Sequence, residues 1–439
     1  MEILPFHGFR YNLTRVQDLS AVVSPPYDVI SPPGREKYYH RHRYNFVHLT
    51  LGKELPGDNE ISSKYQSSAK LLHRWIREKI VIEDTVPSIY LYSLQFNYRR
   101  KLLTRQGIIS LVRLEEYFEG KIFPHEVTLE ETKTDRLALL KACKAHLEPV
   151  FGVWFSSGEG EDFFLRLFEA REELVEVMDD EKVIHSLGRV SGKEHIESLK
   201  SFLRDKFLII ADGHHRYEAA LEYQHQQSLP DKDFAPWRYV MMYLVSREDP
   251  GLVVLPTHRL ISFSPLDFSS LMGRLKSDFQ IHYFKFQEQG ELYQRESLFS
   301  HMAFHRPSLG MYFGKEKIYC MLLPRRSFYW EEKSWEWNSL EAVILQKLVL
   351  EPIFGIKDVE LEESKGKMAY TRDEEEAVQK VREGSYQVAF FLNPLGMDEI
   401  EKISFQGERM PSKSTYFYPK PLSGLVFYAW KENGNLNLK

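Results

Sequence analysis

Apolar positions along this chain of 439 residues fall into short runs, and their spacing switches repeatedly between strand and helix period. Ser88–Phe96 and Gln106–Leu114, rich in Tyr, Leu, Ile and Val, predict a pair of strands. Val150–Phe155 and Phe207–Ile210 predict two more, and Phe46–Leu51 reads as another. Trp237–Val245 contains the run Met241-Met242-Tyr243-Leu244-Val245, which predicts a strand buried on both faces. Gln387–Leu392 reads as a core strand of the same kind. Helical spacing covers residues 59–78, 131–147, 192–203, 289–303, 336–349 and 373–383. The stretch 158–183 is acidic and predicts a peripheral segment, and no internal repeat interrupts the pattern.

This alternation predicts a mixed α/β (α+β) fold, and the length suggests two or three domains. The divisions expected are an N-terminal α/β region (1–106), a central region (107–256) and a C-terminal α/β region (257–439). Hydrophobic content of 43%, with 29 Phe, 24 Tyr and 7 Trp, suffices for packed cores. No apolar run approaches the roughly 20 residues of a membrane helix. The start, Met1-Glu2-Ile3-Leu4-Pro5-Phe6-His7, has neither the basic nor the apolar part of a secretory signal. Two cysteines, Cys143 and Cys320, far apart in apolar surroundings, fit a reducing cytoplasm and exclude a cysteine-rich metal site. With 58 basic and 63 acidic residues the net charge is −5, which disfavours nucleic acid as a partner.

Chemistry concentrates at Asp212-Gly213-His214-His215-Arg216. A strand runs through one glycine into Tyr217–Tyr223, which reads as helix. Amides at a helix N-terminus attract anions, and two imidazoles and a guanidinium add donors beside them. Asp212, at the expected N-cap, can either cap the helix or hold a metal ion that accompanies a phosphate. Ser24–Gly34, with Pro25-Pro26-Tyr27-Asp28, reads as a rigid loop rather than a peptide-recognition ligand. Met410–Lys420 clusters Lys413, Ser414 and Thr415 between turn residues. It lacks the glycines of a phosphate loop and reads as a surface turn before a ligand site.

A second motif, Pro124-His125-Glu126, lies in a loop before the helix at 131–147. The pair Pro-His-Glu and Asp-Gly-His-His-Arg, in this order, resembles the free serine kinases of the ParB/sulfiredoxin superfamily. Together with Pro-Pro-Tyr-Asp and Lys-Ser-Thr-Tyr-Phe-Tyr-Pro-Lys, they also make the whole chain resemble an uncharacterised conserved family (domain-of-unknown-function family 1015). The kinase resemblance is confined to motifs within about 107–256. It implies a ParB/sulfiredoxin-like core elaborated by large N- and C-terminal α/β regions.

What the resemblance implies is phosphoryl transfer from a nucleotide or pyrophosphate to a small hydroxylated metabolite, with free L-serine giving O-phosphoserine. Gly213, His214, His215 and Arg216 would then grip the donor phosphates, Asp212 would hold Mg2+, and Glu126 would take the proton of the acceptor hydroxyl. Glu126 and the Asp212–Arg216 turn are accordingly expected to face one cleft. Other readings stay open. A phosphate-ester or nucleotide hydrolase can use the same groups, and so can a non-catalytic nucleotide sensor. A ParB-like regulatory switch needs a helix-turn-helix and basic surface that the sequence does not show. A sulfiredoxin-like reductase needs a cysteine where His214 stands. Zinc at His214-His215 is disfavoured because adjacent helical residues diverge.

Overall fold

The long apolar strands pair into one mixed sheet of nine strands, in a computed structural model that describes residues 1–53, 63–155, 161–227, 235–262, 267–287, 290–330, 332–357 and 359–430. Its order is Ile122–Pro124, Phe207–Asp212, Val150–Phe155, Tyr239–Ser246, Lys101–Arg113, Ile89–Tyr98, Ile184–Val190, Glu172–Met178, with Ile3–Leu4 beside Lys101–Arg113. Two pairings are parallel: Phe207–Asp212 with Ile122–Pro124, and Tyr239–Ser246 with Val150–Phe155. Met241–Val245 is fully buried, as expected of a central strand covered on both faces. One face packs on helices Lys193–Leu203 and His214–His225 through Leu199, Leu203, Tyr217 and Leu221.

The chain divides into two compact units. The first comprises residues 1–124, 128–253 and 417–439, and the second comprises 125–127 and 254–416. The expected boundary at 106/107 falls inside strand Lys101–Arg113, which pairs over Lys101–Ile109 with Tyr90–Tyr98. Residues on both sides of that boundary therefore share one sheet. The second unit holds an antiparallel sheet of six strands, ordered Phe279–Lys285, Ile318–Pro324, Leu309–Phe313, Val388–Phe391, His258–Ile261, Met368–Thr371. Alternate residues feed its two faces. Met311, Cys320 and Phe390 enter one core, and Tyr312, Tyr319 and Phe391 enter the other.

Several expected elements shift. Phe46–Leu51 is not a strand. Val47–Thr50 forms a short helical turn, started by the Asn45 carboxamide oxygen, which accepts the Val47 N–H at 3.1 Å. Phe46, Val47 and Leu49 are all fully buried, and a short apolar run carries no period that could separate strand from helix. The helix expected over 131–147 runs Glu130–Cys143 and stops where Lys144 takes a left-handed φ of 51°. The one expected over 336–349 breaks into Trp335–Asn338 and Glu341–Leu345, the second continuing as a π-helical turn over Gln346–Leu350. The acidic stretch supplies helix Glu161–Glu169 and the edge strand Glu172–Met178. Residues 59–62, 158–160 and 289 of the expected segments lie outside the described residues. Cys143 and Cys320 are both buried free thiols. Among the described residues no helix is long and apolar enough to cross a membrane.

Candidate active site

Strand Phe207–Asp212 passes into helix His214–His225 through Gly213 alone, as the sequence spacing predicts. Gly213 is the N-cap, at φ 84° and ψ 29°, a left-handed conformation that glycine adopts without steric cost. Asp212 is therefore the last strand residue and does not cap the helix, which leaves its carboxylate for side-chain partners. Arg216, one turn on, folds back over the glycine. A Cβ at position 213 would stand 2.8 Å from Arg216 Nη2. From there Arg216 Nη2 donates to Asp212 Oδ2 at 2.8 Å, and Nη1 donates to the Pro149 carbonyl at 2.5 Å.

The second oxygen of Asp212 binds the ammonium of Lys420, which also reaches Asp28 Oδ2 at 3.1 Å. Three distant segments thus meet in the first unit: the Pro-Pro-Tyr-Asp loop, the Asp-Gly-His-His-Arg turn, and the Pro-Lys end of the C-terminal motif. Lys420, Arg216 and Asp212 are about nine-tenths buried, whereas the Asp28 side chain is 34% exposed. Burial disfavours the charged form of Asp28. The Lys420 ammonium and Arg216 guanidinium outweigh it and hold the carboxyl below its ordinary value.

Buried polar contacts hold these segments in place. Glu148 Oε1 accepts the Tyr27 N–H at 3.1 Å and the Ser423 hydroxyl at 2.6 Å, tying the N-terminal loop to the C-terminal segment. Arg105, fully buried, donates to the carbonyls of Tyr418 and Pro419 just before Lys420. Its guanidinium lies over the rings of Phe151 and Tyr243 at 4.8 and 5.7 Å. The Tyr27 ring carries the Arg136 guanidinium at 4.0 Å and that of Arg216 at 6.0 Å.

The two imidazoles take different places in the turn. His214 is buried, and His215 Nε2 accepts the Leu129 N–H at 2.9 Å at the start of helix Glu130–Cys143. That nitrogen carries no proton, so His215 anchors a neighbouring helix from this position. Asp212, Gly213, His214, His215 and Arg216 thus share one turn of the first unit, while Glu126 belongs to the second.

Glu126 Oε1 accepts the Lys413 N–H at 2.7 Å, and Oε2 lies 3.6 Å from His125 Nε2. His125 is fully buried, with Nε2 2.7 Å from the Thr415 hydroxyl, and Glu126 forms a parallel bridge with Met410. The Lys413-Ser414-Thr415 cluster is therefore the seat of His125 and Glu126. Arg259, buried beneath it, donates to the Lys413 carbonyl at 3.1 Å.

Sequence reading alone assigned no role to Asp28, Lys420, Glu148, Arg105 or Arg136. Asp28 and Lys420 carried a signal, as charged residues within proline-marked motifs. Arg105 and Arg136 sit within an ordinary strand and helix and Glu148 in the bend between Ala145–His146 and Val150–Phe155, and these three carried none.

As chemistry, the turn holds two carboxylates bridged by one ammonium, with a guanidinium offsetting one of them. Among the described residues no group of three or more His, Cys, Asp or Glu could hold a metal. Mg2+ is commonly held by one or two carboxylates together with substrate phosphates, and Asp28 and Asp212 fit that donor set.

A family model described as a protein of unknown function (DUF1015) matches residues 3–345, and the chain belongs to that family. No curated protein matches the chain. Similar solved structures include a free serine kinase in complex with AMP, with 12% identity over 67% of this chain and 83% of that one, at a TM-score of 0.34. A conserved hypothetical protein from Pyrococcus furiosus matches with 12% identity over 68% and 90%, at 0.33. SbnI from Staphylococcus aureus, truncated at its C-terminus, matches with 12% identity over 72% and 85%, at 0.32.

Proposed function

We propose that this chain is a phosphotransferase moving a phosphoryl group from a nucleotide or pyrophosphate to the hydroxyl of a small metabolite, with free L-serine as the first acceptor to test. The observation that carries the reading is the meeting of Asp28, Asp212, Arg216 and Lys420 at a glycine turn that starts a helix. Phosphoryl transfer relies on anchored phosphates, neutralised charge and an acceptor oxygen held in line. Gly213 allows a close approach to the first turn of the helix, and Arg216 and Lys420 supply cationic donors beside it. His214 and His215 shape that turn. Asp212, with Asp28, would hold Mg2+, which neutralises donor phosphates when bound.

The base assigned to this reading is Glu126, supported by the Pro-His-Glu motif preceding Asp-Gly-His-His-Arg. In the step, the donor's terminal P–O bond breaks and a new P–O bond forms to the acceptor oxygen, whose proton passes to the Glu126 carboxylate. A ParB/sulfiredoxin-like core within 107–256 belongs to the same proposal and rests on the same two motifs.

The test is purified protein with Mg2+, free L-serine, and ATP, ADP or pyrophosphate in turn, followed by phosphorus NMR. The expected result is O-phosphoserine, formed only when serine is present. Phosphate release that ignores serine would replace the kinase by a hydrolase. No consumption of any donor would leave a binding protein.

A further inference from the structure

Beside Tyr27 the first unit contains a cavity of about 320 Å³, between the turn Val47–Thr50 and helices Ser63–Arg77 and Glu130–Cys143. That volume is at the small end for ligand sites and suits a metabolite of amino-acid size. Two of its lining residues, Thr50 and Arg35, each carry an unusual polar atom. Thr50 is 1% exposed, and its hydroxyl has no hydrogen-bond partner among the described residues. Arg35 Nε is likewise buried without a partner, although its Nη2 donates to the Gly52 carbonyl at 3.3 Å. Buried polar atoms are normally satisfied, so two orphans on residues that line one cavity point to a missing partner.

The charges on the wall indicate its sign. Asp135 accepts from Lys64 at 3.0 Å, from the Tyr65 hydroxyl at 2.5 Å and from Arg136 Nε at 2.9 Å, so its charge is already matched. Arg35 takes part in no ion pair among the described residues, and its guanidinium lies 5.6 Å from the centre of the Tyr39 ring. The orphan guanidinium nitrogen and the hydroxyl can both donate, which calls for an oxyanion. A planar carboxylate fits two donors with a single charge, whereas a phosphate dianion would set about twice that charge against Glu131 on the same wall. Tyr27 lines the cavity, and its chain neighbour Asp28 is paired with Lys420.

We propose that this cavity binds a small carboxylate through Arg35 and Thr50, as the acceptor pocket of the phosphotransferase. The proposal rests on the phosphotransfer reading only in calling the ligand an acceptor, since binding can be measured without turnover.

Calorimetric titration of the full chain with L-serine, glycerate, ethanolamine and inorganic phosphate tests it. L-serine and glycerate should bind, while ethanolamine, which lacks the carboxylate, and phosphate should not. Thr50→Val and Arg35→Met should each weaken binding about tenfold or more, the size expected for loss of a hydrogen bond to a charged group. Thr50→Val should leave the melting temperature unchanged or raised, because it removes an unsatisfied buried hydroxyl without changing shape. A purely structural threonine would lower it.

The proposal is overturned if neither carboxylate binds, if ethanolamine or phosphate binds as well as L-serine, or if both variants keep full affinity. Carboxylate binding with no phosphoryl transfer would remove the phosphotransfer reading and leave the pocket standing. Serine-dependent transfer with an unchanged KM in Thr50→Val would do the reverse.

Discussion

The guanidinium of Arg216 occupies the space that a side chain at Gly213 would fill, 2.8–2.9 Å from where a Cβ would sit. The glycine is thus required twice, by its φ of 84° and by the arginine that folds over it. Gly213→Ala should cost about 1–3 kcal/mol from backbone strain and displaced packing together. The double variant Gly213→Ala/Arg216→Ala should be less destabilised than the sum of the singles, because removing the guanidinium removes the collision. Urea unfolding of the four proteins in a cycle measures this, and strict additivity would show that the packing contact has no energetic weight.

Lys420 stands between two carboxylates that would otherwise repel. Lys420→Met should destabilise the first unit by up to about 3–5 kcal/mol, the cost of leaving buried charge unpaired. The partial exposure of Asp28 keeps the loss toward the lower part of that range. Added Mg2+ should raise the melting temperature of this variant more than that of the parent, since it can replace the ammonium between Asp28 and Asp212. Equal Mg2+ responses in both proteins would argue against these carboxylates as a metal site.

The strand-to-helix turn at Gly213 was legible in the sequence because a short apolar run, one glycine and a polar helix start leave few alternatives. The central strand Tyr239–Ser246 was legible for a similar reason, its apolar run being too long for anything but a covered position. What the sequence could not show was pairing across distance. Asp28 and Lys420 are 392 positions apart, and only the folded first unit brings them to the same turn. The turn Val47–Thr50 was missed because its start depends on the buried Asn45, whose Nδ2 donates to the carbonyls of Ala21 and Val23. Arg216 looked like a free anion receptor, but two of its nitrogens already serve Asp212 and Pro149. Arg216→Ala should therefore lower stability as well as donor affinity.

Asp135 gives the first unit an acid-sensitive component. Burial disfavours its charge, but Arg136, Tyr65 and Lys64 outweigh that and hold the carboxyl at about 2, below its usual 3.8. A folded-state value below the unfolded one means that this contribution is complete above about pH 4 and is lost as pH falls toward 2. Asp135→Asn should remove it. The stabilities of parent and variant, measured by urea unfolding, should differ most near neutral pH and converge as pH drops through that window. A gap that stays constant down to pH 2 would mean that the carboxylate charge contributes nothing.

Glu126→Gln separates a base from a structural acceptor. The Lys413 N–H now donates to Glu126 Oε1, and a glutamine oxygen can accept the same bond, so the loop around Met410 should keep its form. If Glu126 takes the proton of the acceptor hydroxyl, the variant should bind the phosphoryl donor with parental affinity while transfer to serine falls by about two orders of magnitude or more. Asp212→Asn should behave differently, losing the carboxylate that Lys420 and Arg216 share, and with it both stability and Mg2+ dependence. Calorimetry with the donor, beside a transfer assay across pH, distinguishes the two. Full activity in Glu126→Gln would place the base elsewhere and leave Glu126 as the residue that seats Lys413.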